Sequence, residues 1–170
     1  PADARQAVRL VRLAGEAGTL VLQRLRLDDG SADWGQTEID WNAADVELLP
    51  ETRPRRAGPA FALLAGDAAL FLVGPGANAD NMGVWRLDDA LSDRATAVRW
   101  DAGDGAPPAR WLASACLHQQ VLYLFGGEDE RGRILGDLWT IPLSGPDAGR
   151  WRPHRVRNRQ IRSGARLVSD

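Results

Sequence analysis

The stretch LYLFGG at residues 122–127, followed after a charged loop by GDLW at residues 136–139, carries the clearest indication of the fold. It belongs to two short apolar runs, SACLH and VLYLF, that are separated only by Gln119-Gln120. Such a pair of runs around a two-residue connection predicts a β-hairpin. The second run is almost continuously apolar, which is typical of a strand buried on both faces.

The same landmarks recur in the same order about fifty residues apart. Because a glycine lacks Cβ, a Gly-Gly pair marks a place where the backbone passes close to its neighbours. Large Trp side chains can fill the space between packed sheets. The spacings are 52 residues for Gly74 to Gly126, 54 for Trp85 to Trp139, 51 for Trp100 to Trp151, 54 for Arg56 to Arg110 and 52 for Arg110 to Arg162. Five ordered landmarks predict an internal repeat with a period of about 50 residues.

This pattern resembles the kelch motif, which has an Arg near the start of its first strand, an apolar strand ending in Gly-Gly, a Leu-Trp landmark and a closing Trp. The resemblance covers roughly residues 50–166. The first copy departs from the motif, with Gly74-Pro75 at the glycine pair and Phe71 in place of the Tyr. The resemblance implies an all-β fold of kelch-type β-propeller blades, each of four antiparallel strands. Since propellers have about four to eight blades, the chain is expected to form an incomplete ring.

The repeat divides residues 1–170 into parts of one partial propeller domain. Residues 1–55 are expected to form a divergent blade or a cap, 56–107 a degenerate blade, 108–160 a clear blade, and 161–170 the start of a further blade. In the first part, Val8–Leu13 and Thr19–Leu27 predict a hairpin, and Trp34 lies 51 residues before Trp85. The missing blades are expected either from a longer chain, of which this is an excerpt, or from another copy or subunit.

Composition excludes several classes of partner. The 21 basic residues, all Arg, and 23 acidic residues give a net charge of −2, so no global field favours nucleic acid. The longest apolar runs, such as residues 121–125, fall far short of the roughly 20 residues that span a bilayer. The lone cysteine, Cys116, cannot form an internal disulfide and therefore leaves the cellular compartment open.

No pattern predicts a catalytic residue, a metal site or a cofactor. The two histidines, His118 and His154, are far apart in sequence, and His118 is expected as a surface group at a hairpin turn. The copper radical oxidases built on kelch propellers require a Cys cross-linked to a Tyr, a second Tyr and two His ligands. This chain has a single Tyr, so Cys116 and Tyr123 are interpreted as core residues.

Two exposed segments are the candidates for binding. The loop between the second and third strands of the clear blade carries Glu128, Asp129, Arg131 and Arg133, and Asp80-Asn81 occupy the equivalent loop of the preceding blade. Loops on a rigid scaffold are common recognition sites. A second segment, between the last strand of one blade and the first of the next, is rich in arginines that suit an anion or an acidic peptide: Arg155, Arg157 and Arg159. A solvated connector is the alternative reading of this run.

The function expected from these features is a protein- or peptide-binding module that presents its inter-strand loops to a partner. Two alternatives remain open at this point. The chain could be part of a kelch-type propeller enzyme, such as a sugar isomerase or an oxidase, with catalytic residues outside this stretch. It could also be a structural subunit of a larger assembly, with its open blade edges completed by neighbours.

Overall fold

The computed structural model describes residues 5–12, 20–28, 31–41, 62–65, 69–76, 80–90, 94–101 and 105–156. These residues form strands and connections but no helix, and hence no helix that could cross a membrane. The strands are β1 (Arg5–Arg12), β2 (Leu20–Asp28), β3 (Ser31–Trp41), β4 (Ala62–Ala65), β5 (Leu70–Pro75), β6 (Met82–Asp88), β7 (Arg94–Arg99), β8 (Ser114–His118), β9 (Val121–Phe125), β10 (Leu138–Pro142) and β11 (Arg152–His154).

The strands are arranged in two sheets. The C-terminal sheet is a four-stranded antiparallel meander in the order β11-β10-β9-β8. Strands β4 to β7 form a second antiparallel meander, here called the first meander because it comes earlier in the chain. Strands β1 to β3 extend it to a seven-stranded sheet in the order β1-β2-β3-β7-β6-β5-β4. The predicted fold class, all-β with units of four antiparallel strands and no closed ring, is confirmed for the described residues.

The predicted hairpins are also confirmed. Strands β8 and β9 pair antiparallel around Gln119-Gln120, with Ser114 opposite Phe125 and His118 opposite Val121. Both turn residues have positive φ, 47° and 60°, as in the type I′ turn that matches the twist of a hairpin. In the N-terminal part, β1 pairs with β2 over the full length of β1. The seven-stranded sheet contains a feature that the repeat did not predict, because β3 pairs with β7 in parallel.

Strand pairing defines the repeat in three dimensions. Leu63 faces Leu72, which faces Trp85, in the first meander, and Ala115 faces Leu124, which faces Trp139, in the second. Each residue of the first two strands in the C-terminal meander therefore lies 52 residues after its equivalent in the first meander, which is the spacing of Gly74 to Gly126. This offset is here called the repeat shift. The third strands are offset by 54 residues, which is the spacing of Trp85 to Trp139 and is here called the third-strand shift. The difference arises because the β9–β10 loop is longer than the β5–β6 loop.

Pairing also shows which landmarks are equivalent. Gly74 and Gly126 occupy the same position, as do Trp85 and Trp139. The match of Trp100 with Trp151 is wrong, because Trp100 follows the fourth strand of its meander and Trp151 precedes the fourth strand of the other. Trp34 lies on a third strand as expected, but its side chain is 54% exposed.

The core lies on both faces of the first meander. On one face, Leu22 and Ile39 from β2 and β3 pack with Leu72, Trp85 and Leu87. On the other face, the first meander packs against the C-terminal sheet through a second core of buried residues: Phe71, Val73, Met82, Val84, Leu122, Leu124, Ile141, Leu143 and Trp151. Successive side chains of β5 and β6 thus enter opposite cores, and these strands are buried on both faces.

The two sheets come closest at β4 and β8, the first strand of each meander. Asp101, which is only 6% exposed, joins the two sheets through its carboxylate. It accepts hydrogen bonds from the Arg99 guanidinium, from the Val84 backbone N–H at 3.3 Å and from the Trp151 indole N–H at 3.0 Å. Because Trp151 belongs to the C-terminal sheet and Val84 to the other, this buried carboxylate fixes their relative position.

Candidate functional site

A pocket of about 260 Å³ lies where loops of both sheets meet. The β5–β6 loop, the connection between β7 and β8, and the β9–β10 loop all emerge at the same edge, as the strand register requires. The Gln119-Gln120 turn and His118 lie at the opposite edge. Side chains of the three segments line the pocket: Asp80, Pro108, Ala109, Asp129, Glu130, Arg131 and Arg133.

Backbone hydrogen bonds hold the β7–β8 connection between the two loops. On one side, the Ala109 N–H donates to the Asp80 carbonyl at 2.9 Å, and the Met82 N–H donates to Pro107 at 2.8 Å. On the other side, Trp111 and Glu128 exchange two hydrogen bonds of 2.9 and 2.8 Å. The pocket wall is therefore a continuous hydrogen-bonded surface rather than a set of independent loops.

Asp129 organises the tip of the β9–β10 loop. Its carboxylate accepts hydrogen bonds from the backbone N–H groups of Arg131 and Arg133, at 3.0 and 2.9 Å, and from the Arg133 guanidinium at 2.7 Å. The hydrogen bond from the Arg133 backbone is the main reason why the pKa of Asp129 lies below its ordinary value. Gly132, with φ at 78°, supplies the left-handed residue that the tight tip requires.

Arg110 anchors the base of the same loop from beneath. Its guanidinium, only 1% exposed, makes hydrogen bonds of 2.6 and 3.1 Å with the two oxygens of Asp137. It also donates to the carbonyls of Pro108 at 3.1 Å and Gly126 at 3.2 Å. These bonds tie the β7–β8 connection to both ends of the loop, since Gly126 follows β9 and Asp137 precedes β10.

The Asp137 carboxylate stays ionised in this environment. Burial acts to raise its pKa, but hydrogen bonds from Arg110 and from the Trp139 indole, at 2.7 Å, together with the charge of Arg110, lower it below its ordinary value. In the first meander, Gly83 stands at the position of Asp137. The arginine–aspartate clamp is thus specific to the C-terminal sheet among the described residues.

Two charged side chains of the pocket have no partner among the residues that the structure describes. Within the described residues, the Arg131 guanidinium and the Asp80 carboxylate make no hydrogen bond or ion pair, and both residues are exposed. Arg133, in contrast, is paired with Asp129. A ligand in this pocket would therefore meet one cation and one anion that no described residue pairs, Arg131 and Asp80.

The charged loop residues predicted from the sequence have two different outcomes. Asp129, Arg131 and Arg133 line the pocket, and so does Asp80 from the equivalent loop. Glu128 was expected to be exposed but is only 3% exposed, because its backbone bridges to Trp111 on one side and Ile134 on the other.

Of the arginine run, Arg155 is exposed just after β11, at the end of the sheet where β10 begins, and does not line the pocket, whereas Arg157 and Arg159 lie outside the described residues. Pro108 and Ala109 were missed as pocket residues. Their signal in the sequence was their position, directly before the leading Arg110.

The remaining reactive side chains do not converge on the pocket. His154 is exposed and shares a 2.7 Å hydrogen bond with the Thr140 hydroxyl. Cys116 and Tyr123 face each other across β8 and β9, and burial raises the pKa of the Cys116 thiol, which disfavours the thiolate. No group of three or more His, Cys, Asp or Glu side chains within the described ranges could hold a metal ion.

Comparison with known proteins finds neither a matching protein-family model nor a matching curated relative.

Proposed function

We propose that this chain is part of a kelch-type β-propeller that binds a protein or peptide partner with its inter-strand loops. The structural repeat supports this proposal, because two antiparallel meanders with equivalent strand registers pack face to face and approach most closely at their first strands. Sheets that radiate from an axis in this way leave their loops together at one edge.

The pocket at the loop edge is the single observation that carries the binding role. Both meanders contribute to it, and hydrogen bonds hold its walls in place. Rigid walls lower the entropy that a loop must lose when it binds a partner. A volume of about 260 Å³ suits one or two side chains of an extended peptide rather than a large cofactor.

The partner that we propose is an acidic peptide. Arg131 offers a planar guanidinium that can bind a carboxylate through two hydrogen bonds. Arg155, at the same edge, adds a second exposed cation, and Arg157 and Arg159 continue the run in the sequence. Asp80 favours a peptide in which a basic or amide side chain accompanies the acidic one.

A direct test uses a fluorescently labelled peptide of alternating Glu and Ala residues as the probe, with a matched Lys-Ala peptide as the reference. Fluorescence anisotropy is expected to show binding of the acidic probe only. Arg131→Ala should weaken that binding roughly tenfold or more, since a charge-assisted hydrogen bond contributes about 1.5–3 kcal/mol.

Arg152→Ala is the matched control, because Arg152 is also exposed but lies on the outer strand and pairs with Asp147. It should leave binding of the acidic probe unchanged. The triple replacement of Arg155, Arg157 and Arg159 by Ala should weaken binding while leaving the melting temperature nearly unchanged. Equal binding of the acidic and basic probes, or an Arg131→Ala variant that binds as well as the parent, would refute an acidic-peptide site.

A further inference from the structure

The pocket at the loop edge has walls of opposite charge. Asp80 lies on the β5–β6 loop of the first meander, and Arg131 lies on the β9–β10 loop of the C-terminal sheet. Both residues are exposed, and no described residue pairs with either side chain. A ligand that enters the pocket therefore meets an anion on one side and a cation on the other.

The segment between the two walls is uncharged where it lines the pocket, with Pro108 and Ala109. On one side, the Ala109 N–H donates to the Asp80 carbonyl at 2.9 Å. On the other side, two backbone hydrogen bonds join Trp111 to the β9–β10 loop that carries Arg131. Because these bonds hold the β7–β8 connection between the loops, the two charges start from opposite sides of an uncharged floor.

The second arginine of the pocket is already engaged. The Arg133 guanidinium donates to the Asp129 carboxylate at 2.7 Å, and the same carboxylate accepts hydrogen bonds from the backbone N–H groups of Arg131 and Arg133. The Asp129 carboxylate thus fixes the backbone at Arg131 without using its guanidinium. Arg131 is therefore the arginine of the pocket that can receive a carboxylate from a ligand.

The repeat does not impose this pair of charges. Counted back from the third strand, the third-strand shift relates Asp80 to Ile134, an apolar residue that is 44% exposed. Counted forward from the second strand, the repeat shift relates Arg131 to Ala79 in the sequence. Neither charge has a charged counterpart in the other loop, which favours recognition over a role in the scaffold.

The size of the pocket matches the spacing of alternate side chains in an extended peptide. A volume of about 260 Å³ corresponds to a space about 8 Å across, close to the roughly 7 Å that separates side chains i and i+2 of a strand. Side chains i and i+1 point to opposite sides of an extended chain. Two side chains of one peptide can therefore enter together when a single residue separates them.

We propose that the pocket binds an extended segment in which one residue separates an acidic from a basic residue, in either order, with the acidic side chain on Arg131 and the basic one on Asp80. The inference rests on the proposed function, since it takes peptide binding at this edge as given and adds the spacing of the charges. A second acidic residue at the same spacing would place its carboxylate beside Asp80, where like charges repel.

Two labelled peptides of identical composition test the spacing. One is Glu-Ala-Lys-Ala-Glu-Ala-Lys-Ala, which contains the spaced pair in both orders, and the other is Glu-Lys-Ala-Ala-Glu-Lys-Ala-Ala, in which no opposite charges are two residues apart. Both are too short to form a stable helix in water. Fluorescence anisotropy should show that the spaced peptide binds about fivefold tighter, the gain expected of one exposed ion pair.

Variants of the two walls test the assignment of the charges. Asp80→Asn should reduce the preference to less than about twofold, whereas Asp147→Asn, which removes the same charge outside the pocket, should retain it. Asp80→Arg alone should weaken binding of the spaced peptide about fivefold or more. Adding Arg131→Asp to it should restore the parent affinity to within about twofold, because the peptide offers both orders.

The outcomes separate this inference from the proposed function. If the Glu-Ala peptide binds but the spaced and adjacent peptides bind equally, the spacing is refuted and the acidic-peptide site stands. If none of the three peptides binds, both are refuted. A preference for the spaced peptide that survives in Asp80→Asn, or a charge exchange that fails to restore binding in a variant with the parent melting temperature, would overturn the role of Asp80.

Discussion

Arg110 and Asp137 form an ion pair, with the arginine buried and the aspartate partly exposed, that joins the segment before β8 to the start of the third strand of the C-terminal meander. Removing one partner of such a pair leaves the other charge uncompensated. We expect Asp137→Asn to lower the free energy of unfolding by about 2 kcal/mol, less than for a fully buried pair because Asp137 is one-third exposed. Urea denaturation monitored by Trp fluorescence measures this change.

The control for this pair is Asp147→Asn. Asp147 also pairs with an arginine, Arg152, but both side chains are about half exposed. The free energy of unfolding should therefore change by less than about 0.5 kcal/mol. Equal losses in the two variants would show that burial of the Arg110 guanidinium has no energetic role.

The same clamp predicts how stability depends on pH. Asp137 and Asp129 have pKa values below the ordinary value in the folded chain, and the unfolded value is about 3.9. A group with a lowered folded pKa stabilises the fold above the unfolded pKa, and this contribution is lost as the pH falls through the folded pKa. Stability should therefore fall from about pH 4 downward, and less steeply in Asp137→Asn. A parallel pH profile for the parent and the variant would contradict the assignment.

Gly127 is expected to tolerate no side chain. Its φ is 93°, and a Cβ would lie 2.7 Å from the Trp111 carbonyl oxygen and 3.0 Å from Ala113. Gly127→Ala should destabilise the fold by about 3 kcal/mol or more, through both backbone strain and the clash. Thermal and urea unfolding of the variant and the parent measure the loss.

Gly145→Ala separates these two causes. Gly145 has φ at 86°, but nothing lies within 4 Å of the position that a Cβ would take there. Its replacement should cost only the backbone term of about 1 kcal/mol. Equal losses of stability in Gly127→Ala and Gly145→Ala would show that the Trp111 carbonyl moves away from the added Cβ without energetic cost.

The Gln119-Gln120 turn offers a stabilising change. Both residues adopt positive φ, which costs a non-glycine residue about 1 kcal/mol or more. Gln120→Gly should therefore raise the free energy of unfolding by about 0.5–1 kcal/mol, as type I′ turns favour glycine at this position. Gln120→Ala retains the strain and should bring no gain, and thermal unfolding of the two variants side by side distinguishes them.

The sequence landmarks predicted the fold correctly where strand pairing fixes their positions. Gly74 and Gly126, and likewise Trp85 and Trp139, are held by strand pairing, and their spacing predicted equivalent positions correctly. Trp100 and Trp151 have a similar spacing but stand at opposite ends of the fourth strand, because the register that pairs Trp85 with Arg99 and Trp139 with Pro153 makes His154 the equivalent of Trp100. Spacing alone cannot distinguish two residues in the same register from two residues of the same type at different positions.

The parallel pairing of β3 with β7 was beyond the reach of the sequence. No local pattern in the sequence of β3 specifies which distant edge this strand will join. The candidate site was likewise predicted only in part. The charged loop was visible at residues 128–133, whereas the pairing of Asp129 with the Arg133 guanidinium, rather than with that of Arg131, depends on the conformation of the loop.

Joining β3 to β7 places Glu38 opposite Arg94, although two further hairpins lie between them along the chain. The C-terminal sheet requires no such closure, since each of its strands pairs with the next along the chain. Closing a long loop costs more chain entropy than closing a hairpin, and contacts distant in sequence slow folding. We therefore expect the C-terminal meander to form first on refolding and the N-terminal strands to join last, the reverse of the order in which a ribosome would release them.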